Sequence, residues 1–112
     1  MMNSTLLRWL AVASLMTYAT QAGSVEWDNK TIQQLQPDHP TANCFFFILT
    51  GVPVADSSVS TSAWFAVDRS AHPGATDLMA TLLAARISGT PITVVTSGTL
   101  SCGYAGVSFV IM

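Results

Sequence analysis

The stretch PGATDLMATLLAARISG, residues 73–89, decides the fold, because it is the one helical pattern in a chain otherwise suited to strands. Leu78, Leu82 and Ala85 fall on one stripe at helical spacing, with Met79, Leu83 and Ile87 beside it. Pro73 suits a first-turn position and Asp77 lies early, where the helix dipole favours a carboxylate. Arg86 lies late, and Gly89 can take the left-handed cap conformation. The spacing predicts a helix over 73–89 with one face turned to a core.

The flanking segments read as strands. Downstream, Pro91–Thr96 is β-rich, Ser97-Gly98 is a turn signal, and Tyr104–Ile111 is a further strand with Gly103 and Gly106 as bulge points. Upstream, Ala63–Asp68 is a short strand, and Gly51–Ser62, with Pro53 and several serines, reads as an exposed loop. Asn43–Thr50 (NCFFFILT) is a continuous apolar run, as expected of a strand covered on both faces. Val25, Trp27, Asn29 and Thr31 alternate with polar neighbours in a first strand that ends before Gln36-Pro37-Asp38-His39-Pro40. The expected structure is mainly β with one helix, in the order β-β-β-α-β-β. That is the order of the five-stranded OB-fold barrel, whereas a β-sandwich needs about seven strands and no mid-chain helix. Another small α+β sheet is the alternative.

The chain has 112 residues, 50% hydrophobic and 9% charged, which suits one compact domain and argues against disorder. Four basic residues stand against six acidic ones, a net charge of −2, so no basic face is expected for nucleic acid or an anionic membrane. Arg8 precedes the apolar run Trp9–Met16, and small residues follow at Ala19, Thr20 and Ala22. This layout predicts a signal peptide over residues 1–22, cleaved near Ala22-Gly23, and a secreted or periplasmic domain over 23–112. The competing reading, a membrane anchor, needs about 20 apolar residues, and here Thr17, Thr20 and Gln21 end the run early.

In an oxidising compartment the two cysteines, Cys44 and Cys102, are expected to pair. Closing a loop of about 59 residues stabilises the fold by roughly 4 kcal/mol in the chain-entropy account. Two buried free thiols are the alternative. His39 and His72 sit in proline-containing loops without metal-ligand spacing, so no metal is expected. Asp38, His39, Asp68 and His72 are the only acid and imidazole groups close together in sequence, and turn chemistry accounts for them. No G-x-S-x-G, phosphate-cradling glycine loop, H-E-x-x-H or CxxC is present. The expectation is a protein that is not an enzyme and uses no cofactor. Trp64 is expected to fill the barrel and Trp27 to be partly exposed. Phe45, Phe46 and Phe47 point to both faces of their strand, so at least one ring needs cover from the helix or a neighbouring subunit.

Asn43–Gly51, then Trp64-Phe65-Ala66, then Leu82–Val94 (LLAARISGTPITV) together resemble the B-subunit family of subtilase cytotoxin and similar small exported bacterial proteins. The resemblance spans roughly Trp27 to Met112. It implies a secretory signal followed by an OB-fold domain, assembly as a ring of five, and binding of cell-surface glycans beside a separate enzymatic A subunit. The family's sialic-acid serine on the first strand falls near Asp28, and an aromatic of the fourth strand falls at Thr96. A carboxylate at Asp28 repels a sialic carboxylate by about 1 kcal/mol at 4 Å in water. The expected partner is therefore a neutral glycan or a protein surface, met by Asp28, Asn29 and Thr31 with Asp56, Ser58 and Ser60 of the 51–62 loop. A structural or inhibitory protein without a sugar site, using the Phe-rich strand and the helix, is the alternative.

Overall fold

The computed structural model describes residues 24–112, and the expected signal peptide with its cleavage position lies outside the described residues. The described chain is mainly β with one helix. Its elements are β1 (Glu26–Lys30), β2 (Ile32–Gln36), β3 (Cys44–Leu49), β4 (Phe65–Asp68), α1 (Ala75–Ser88), β5 (Ile92–Ser101) and β6 (Tyr104–Ile111). The strands form one six-stranded sheet in the order β1-β5-β6-β4-β3-β2, antiparallel except between β4 and β6. No described helix is long and apolar enough to cross a membrane.

The strand count corrects the five-stranded barrel expectation. Asn29 has a φ of 54°, and the β1–β5 register shifts between Trp27 and Lys30. Asn tolerates this left-handed conformation better than most residues. The bend divides the first expected strand in two: β1 pairs with β5, while β2 pairs with β3. Thr31 alone separates the two halves, and its carbonyl accepts from Thr50 N–H at 2.9 Å. The edges of the hydrogen-bonded sheet, β1 and β2, are thus consecutive in the chain but not laddered to each other, so the ladder is not closed.

The expected turn at Ser97-Gly98 is also corrected. β5 continues through it to Ser101, with Gly98 at φ 77° and register shifts against β6 on either side of Thr96. The reversal falls at Cys102-Gly103, where φ values of 51° and 83° suit the two-residue type I′ hairpin turn. The arched part of β5 lies close over Gly106. A Cβ there would stand 2.6 Å from Ser97 Oγ, 2.8 Å from Ser101 Oγ and 3.0 Å from the Thr99 carbonyl oxygen.

Helix α1 keeps its expected stripe and end signals but starts at Ala75, so Pro73 precedes the Gly74 N-cap and is not in the first turn. Ala75, Leu78, Leu82 and Ala85 are buried, Asp77 lies in the first turn, Arg86 in the last, and Gly89 caps the end at φ 70°. It packs against β2 and β6. The core beneath joins Phe45, Phe47 and Leu49 of β3 to Phe65 and Val67 of β4, with Leu82 from above. Phe47 and Phe65 stack with centroids 4.9 Å apart and planes 7° from parallel, a contact worth about 0.5–1.5 kcal/mol beyond area burial.

Gly106→Ala is expected to destabilise the domain by about 1–3 kcal/mol, the usual range for overpacking, since the Thr99 backbone cannot rotate away as the serine hydroxyls can. Urea unfolding checks this, with the midpoint falling and the slope unchanged.

Candidate functional site

Consecutive side chains of β3 point to opposite faces. With Phe45 and Phe47 in the core, Cys44 and Phe46 face outward and join Ala66, Ala42 and Trp64 in a second apolar cluster. Phe46 is the hub. Trp64 at 6.5 Å, Tyr104 at 5.6 Å and His39 at 5.6 Å all meet its ring edge-on, the arrangement aromatic quadrupoles favour. The outward ring of the triplet is therefore covered by its own chain, and only 5% of Phe46 remains exposed. Trp64 belongs to this outer cluster and not to the core, against expectation.

These groups enclose a cleft of about 200 Å³ whose walls include Gln36, His39, Phe46, Trp64, Cys102 and Tyr104. No Asp, Glu, Lys or Arg lines it. Its polar atoms are partly committed: Gln36 Nε2 donates to the Asp38 carbonyl, and His39 Nδ1 accepts from Thr41 N–H. Among the described residues no hydrogen bond engages Trp64 Nε1, the Tyr104 hydroxyl or His39 Nε2, so these tips are open to a ligand.

Cys44 and Cys102 form the expected disulfide, with Cα atoms 6.7 Å apart. It ties the β5–β6 hairpin tip to β3 and so fixes one wall of the cleft. The Asp68 carboxylate and both sulfurs lie within 4.8 Å of one another. With the sulfurs bonded to each other, a single carboxylate is left to a metal there.

Five of the six residues expected to form a contact surface hydrogen-bond within the protein. Asp28 is exposed and accepts from Thr93 Oγ1 at 3.2 Å, Asn29 is exposed at the β1 bend, and Thr31 donates to Thr50 Oγ1 at 3.0 Å. Asp56 is buried, 1% exposed, in a loop that is packed where an exposed one was expected. Its Oδ1 accepts from Ser58 N–H at 3.0 Å and Ser58 Oγ at 2.6 Å, and its Oδ2 from Thr96 Oγ1 at 2.9 Å. Thr96 in turn accepts from Val25 N–H, and Trp27 Nε1 donates to the Ala55 carbonyl. Ser60 Oγ accepts from Ser62 N–H. The loop is thereby fastened against the start of β1, and none of the six residues lines the cleft.

Burial acts to raise the Asp56 pKa, but the hydrogen bonds from the Ser58 and Thr96 hydroxyls and the Ser58 amide outweigh it and hold the carboxyl below its ordinary value. Asp68 is also lowered, by the hydroxyl and amide of Ser70. Neither imidazole meets a carboxylate among the described residues. His72 Nε2 lies 2.9 Å from the Ser108 carbonyl, which can only accept, so Nε2 carries the proton while Nδ1 accepts from Gly74 N–H.

The cleft residues Gln36, His39, Phe46, Trp64 and Tyr104 lie outside the contact surface expected from the sequence. The signal available was the outward parity of Phe46, which demanded cover but did not say from where. No protein family, curated protein or solved structure matches the chain, so the likeness to toxin B subunits draws no support from these comparisons.

Three outcomes follow from this geometry. Asp56→Ala is expected to cost about 1–3 kcal/mol, the penalty of stranding buried partners. A carboxyl whose folded pKa lies below its unfolded value adds stability above the unfolded pKa and loses it as pH falls through the folded one. Wild-type stability should accordingly drop below about pH 4, and Asp56→Asn should flatten that drop in urea titrations run across pH. Removing the disulfide by Cys44→Ala with Cys102→Ala is expected to cost up to about 4 kcal/mol and to increase hydrogen exchange over residues 99–105.

Proposed function

We propose that the protein is an exported, non-enzymatic binding module of OB-fold type that holds a neutral sugar ring in the Phe46–Trp64–Tyr104 cleft. Counted as one strand bent at Asn29 and interrupted at Thr31, β1 and β2 reduce the sheet to five strands in which the first flanks both the second and the fourth. That neighbour order supports reading the sheet as a partly open Greek-key barrel of OB-fold type. In that numbering β3 and β4 are strands two and three, whose outer face and adjoining loops bind ligands in OB-folds. The cleft lies there, with the 37–43 segment on one side and the β5–β6 hairpin on the other.

The observation that carries the reading is an uncharged aromatic cleft in which the Trp64 N–H and the Tyr104 hydroxyl have no partner among the described residues. Sugar rings present apolar C–H faces and hydroxyl edges, which match an aromatic wall carrying an indole N–H and a phenol. The lack of a cation in the cleft disfavours an anionic sugar within it. His72 is bonded to backbone groups through both ring nitrogens, and neither imidazole meets a carboxylate among the described residues, which favours binding over catalysis.

A second reading has its own support: Leu83, Ile87, Phe109 and Ile111 are 47%, 78%, 49% and 54% exposed. Such side chains suit an interface with another protein or further copies of the chain, a ring of five by the resemblance to toxin B subunits.

Glycan-array binding with protein shown to be folded by circular dichroism tests the first reading. Binding to neutral glycans is expected. Trp64→Ala or Tyr104→Ala should weaken it about tenfold or more, the scale set by loss of an aromatic platform worth ~1–3 kcal/mol. Absence of binding above background by folded protein overturns the sugar reading. A stable oligomer by light scattering would then favour the protein-contact reading.

A further inference from the structure

Beside the Phe46 cleft lies a second, more open cavity of about 410 Å³ between β2 and α1, lined by Gln34, Leu35, Pro37, Leu83 and Arg86. Trp64 is a wall of both. Gln36 of the first and Pro37 of the second are neighbours in the chain, so the two cavities adjoin at the indole.

Their chemistry differs in one respect. The first contains no charged side chain, whereas the second contains Arg86. Arg69 is already committed, donating to the Pro37 carbonyl and lying over the Phe45 ring at 4.9 Å. Arg86 is placed otherwise: Asp77, the acid of its helix, is in the first turn and Arg86 in the last. A guanidinium on an exposed rim, with a planar fork of donors, selects carboxylate or sulfate oxygens. Leu35, Pro37 and Leu83 supply an apolar floor for a ring face, and the Gln34 amide can donate to and accept from hydroxyls.

Resting on the reading of the Phe46 cleft as a sugar site, we propose that the natural ligand is an oligosaccharide of two or more units. A neutral ring occupies that cleft, and the next unit, bearing an anionic substituent, lies across Trp64 beside Arg86. Trp64 then contacts both units, one on each side.

Matched disaccharides test this: each hexosyl-hexose is compared as the neutral compound, with a terminal uronic acid and with a terminal sulfate, first on an array and then by calorimetry. The acidic members are expected to bind about two- to fivefold tighter than the neutral one, the scale of an exposed ion pair. The advantage should shrink as salt rises. Arg86→Gln should bring the acidic-to-neutral affinity ratio to about one, and the uronic and sulfated members distinguish the two anion sources. Leu83→Glu, at an exposed position, should reverse the preference without disturbing the fold. Equal binding of neutral and acidic members, or a preference that survives Arg86→Gln, overturns the extended site and leaves the cleft reading intact. Failure of folded protein to bind any of the disaccharides overturns both.

Discussion

The two-residue period of β3 is the constraint on which the rest depends. Because neighbouring side chains of a strand leave by opposite faces, the sequence Cys44-Phe45-Phe46-Phe47 cannot bury all its rings in one place. Phe45 and Phe47 supply the core, and Cys44 and Phe46 are delivered to the outer face. The ladder to β4 sets Phe46 opposite Ala66 and Phe47 opposite Phe65, which gives the outer ring a small neighbour and the inner ring a stacking partner. A slip of one residue would exchange the two sets and bring the half-cystine and its aromatic neighbours into the core. Core and cleft are therefore two consequences of one register, and a change in either is felt by the other.

That register fixes where the cleft can form but not its walls, which arrive from distant parts of the chain by backbone bends. Asn29 turns the first segment so that one half meets β5 and the other β3. Gly98 lets β5 arch across Gly106, and the Cys102-Gly103 turn then returns the chain towards the outer face of β3. The disulfide locks this return at the point where β4 and β6 share only a short parallel ladder, Phe65 with Ala105 and Ala66 with Gly106. Cys102 holds the hairpin tip while Tyr104, two residues on, reaches Phe46. The covalent tie thus substitutes for strand pairing that the arched geometry gives up.

What could be read from the sequence follows from whether the signal is local. The helix was legible because stripe, dipole charges and terminal glycine agree within one segment, and β3 because its apolar run is unbroken. The Cys44–Cys102 pair was legible because a single intrachain pairing is possible. The break between β1 and β2 was not legible, since an alternating pattern says nothing about the sign of φ at Asn29. Ser97-Gly98 carries the composition of a turn, yet its glycine serves an irregular strand instead. The 51–62 loop has the composition of an exposed segment, but its burial comes from Asp56 meeting Thr96 and from Ala55 meeting Trp27, contacts no local pattern encodes.

The inward bonding of the expected contact residues has the same physical root. Asp, Ser and Thr are chosen for hydrogen-bonding capacity, and a fold can use that capacity inward as readily as outward. At Asp56 both carboxylate oxygens accept from the protein, so a ligand there would have to break bonds in a buried site and replace them with no better ones. A half-buried aromatic group works the other way. Its ring already contributes to packing through the face it hides, while its N–H or O–H has no partner among the described residues. The ligand then gains a contact without costing an existing one. That asymmetry is why the binding reading rests on Trp64 and Tyr104, whose sequence neighbourhood looks structural, and not on the polar residues whose types suggested it.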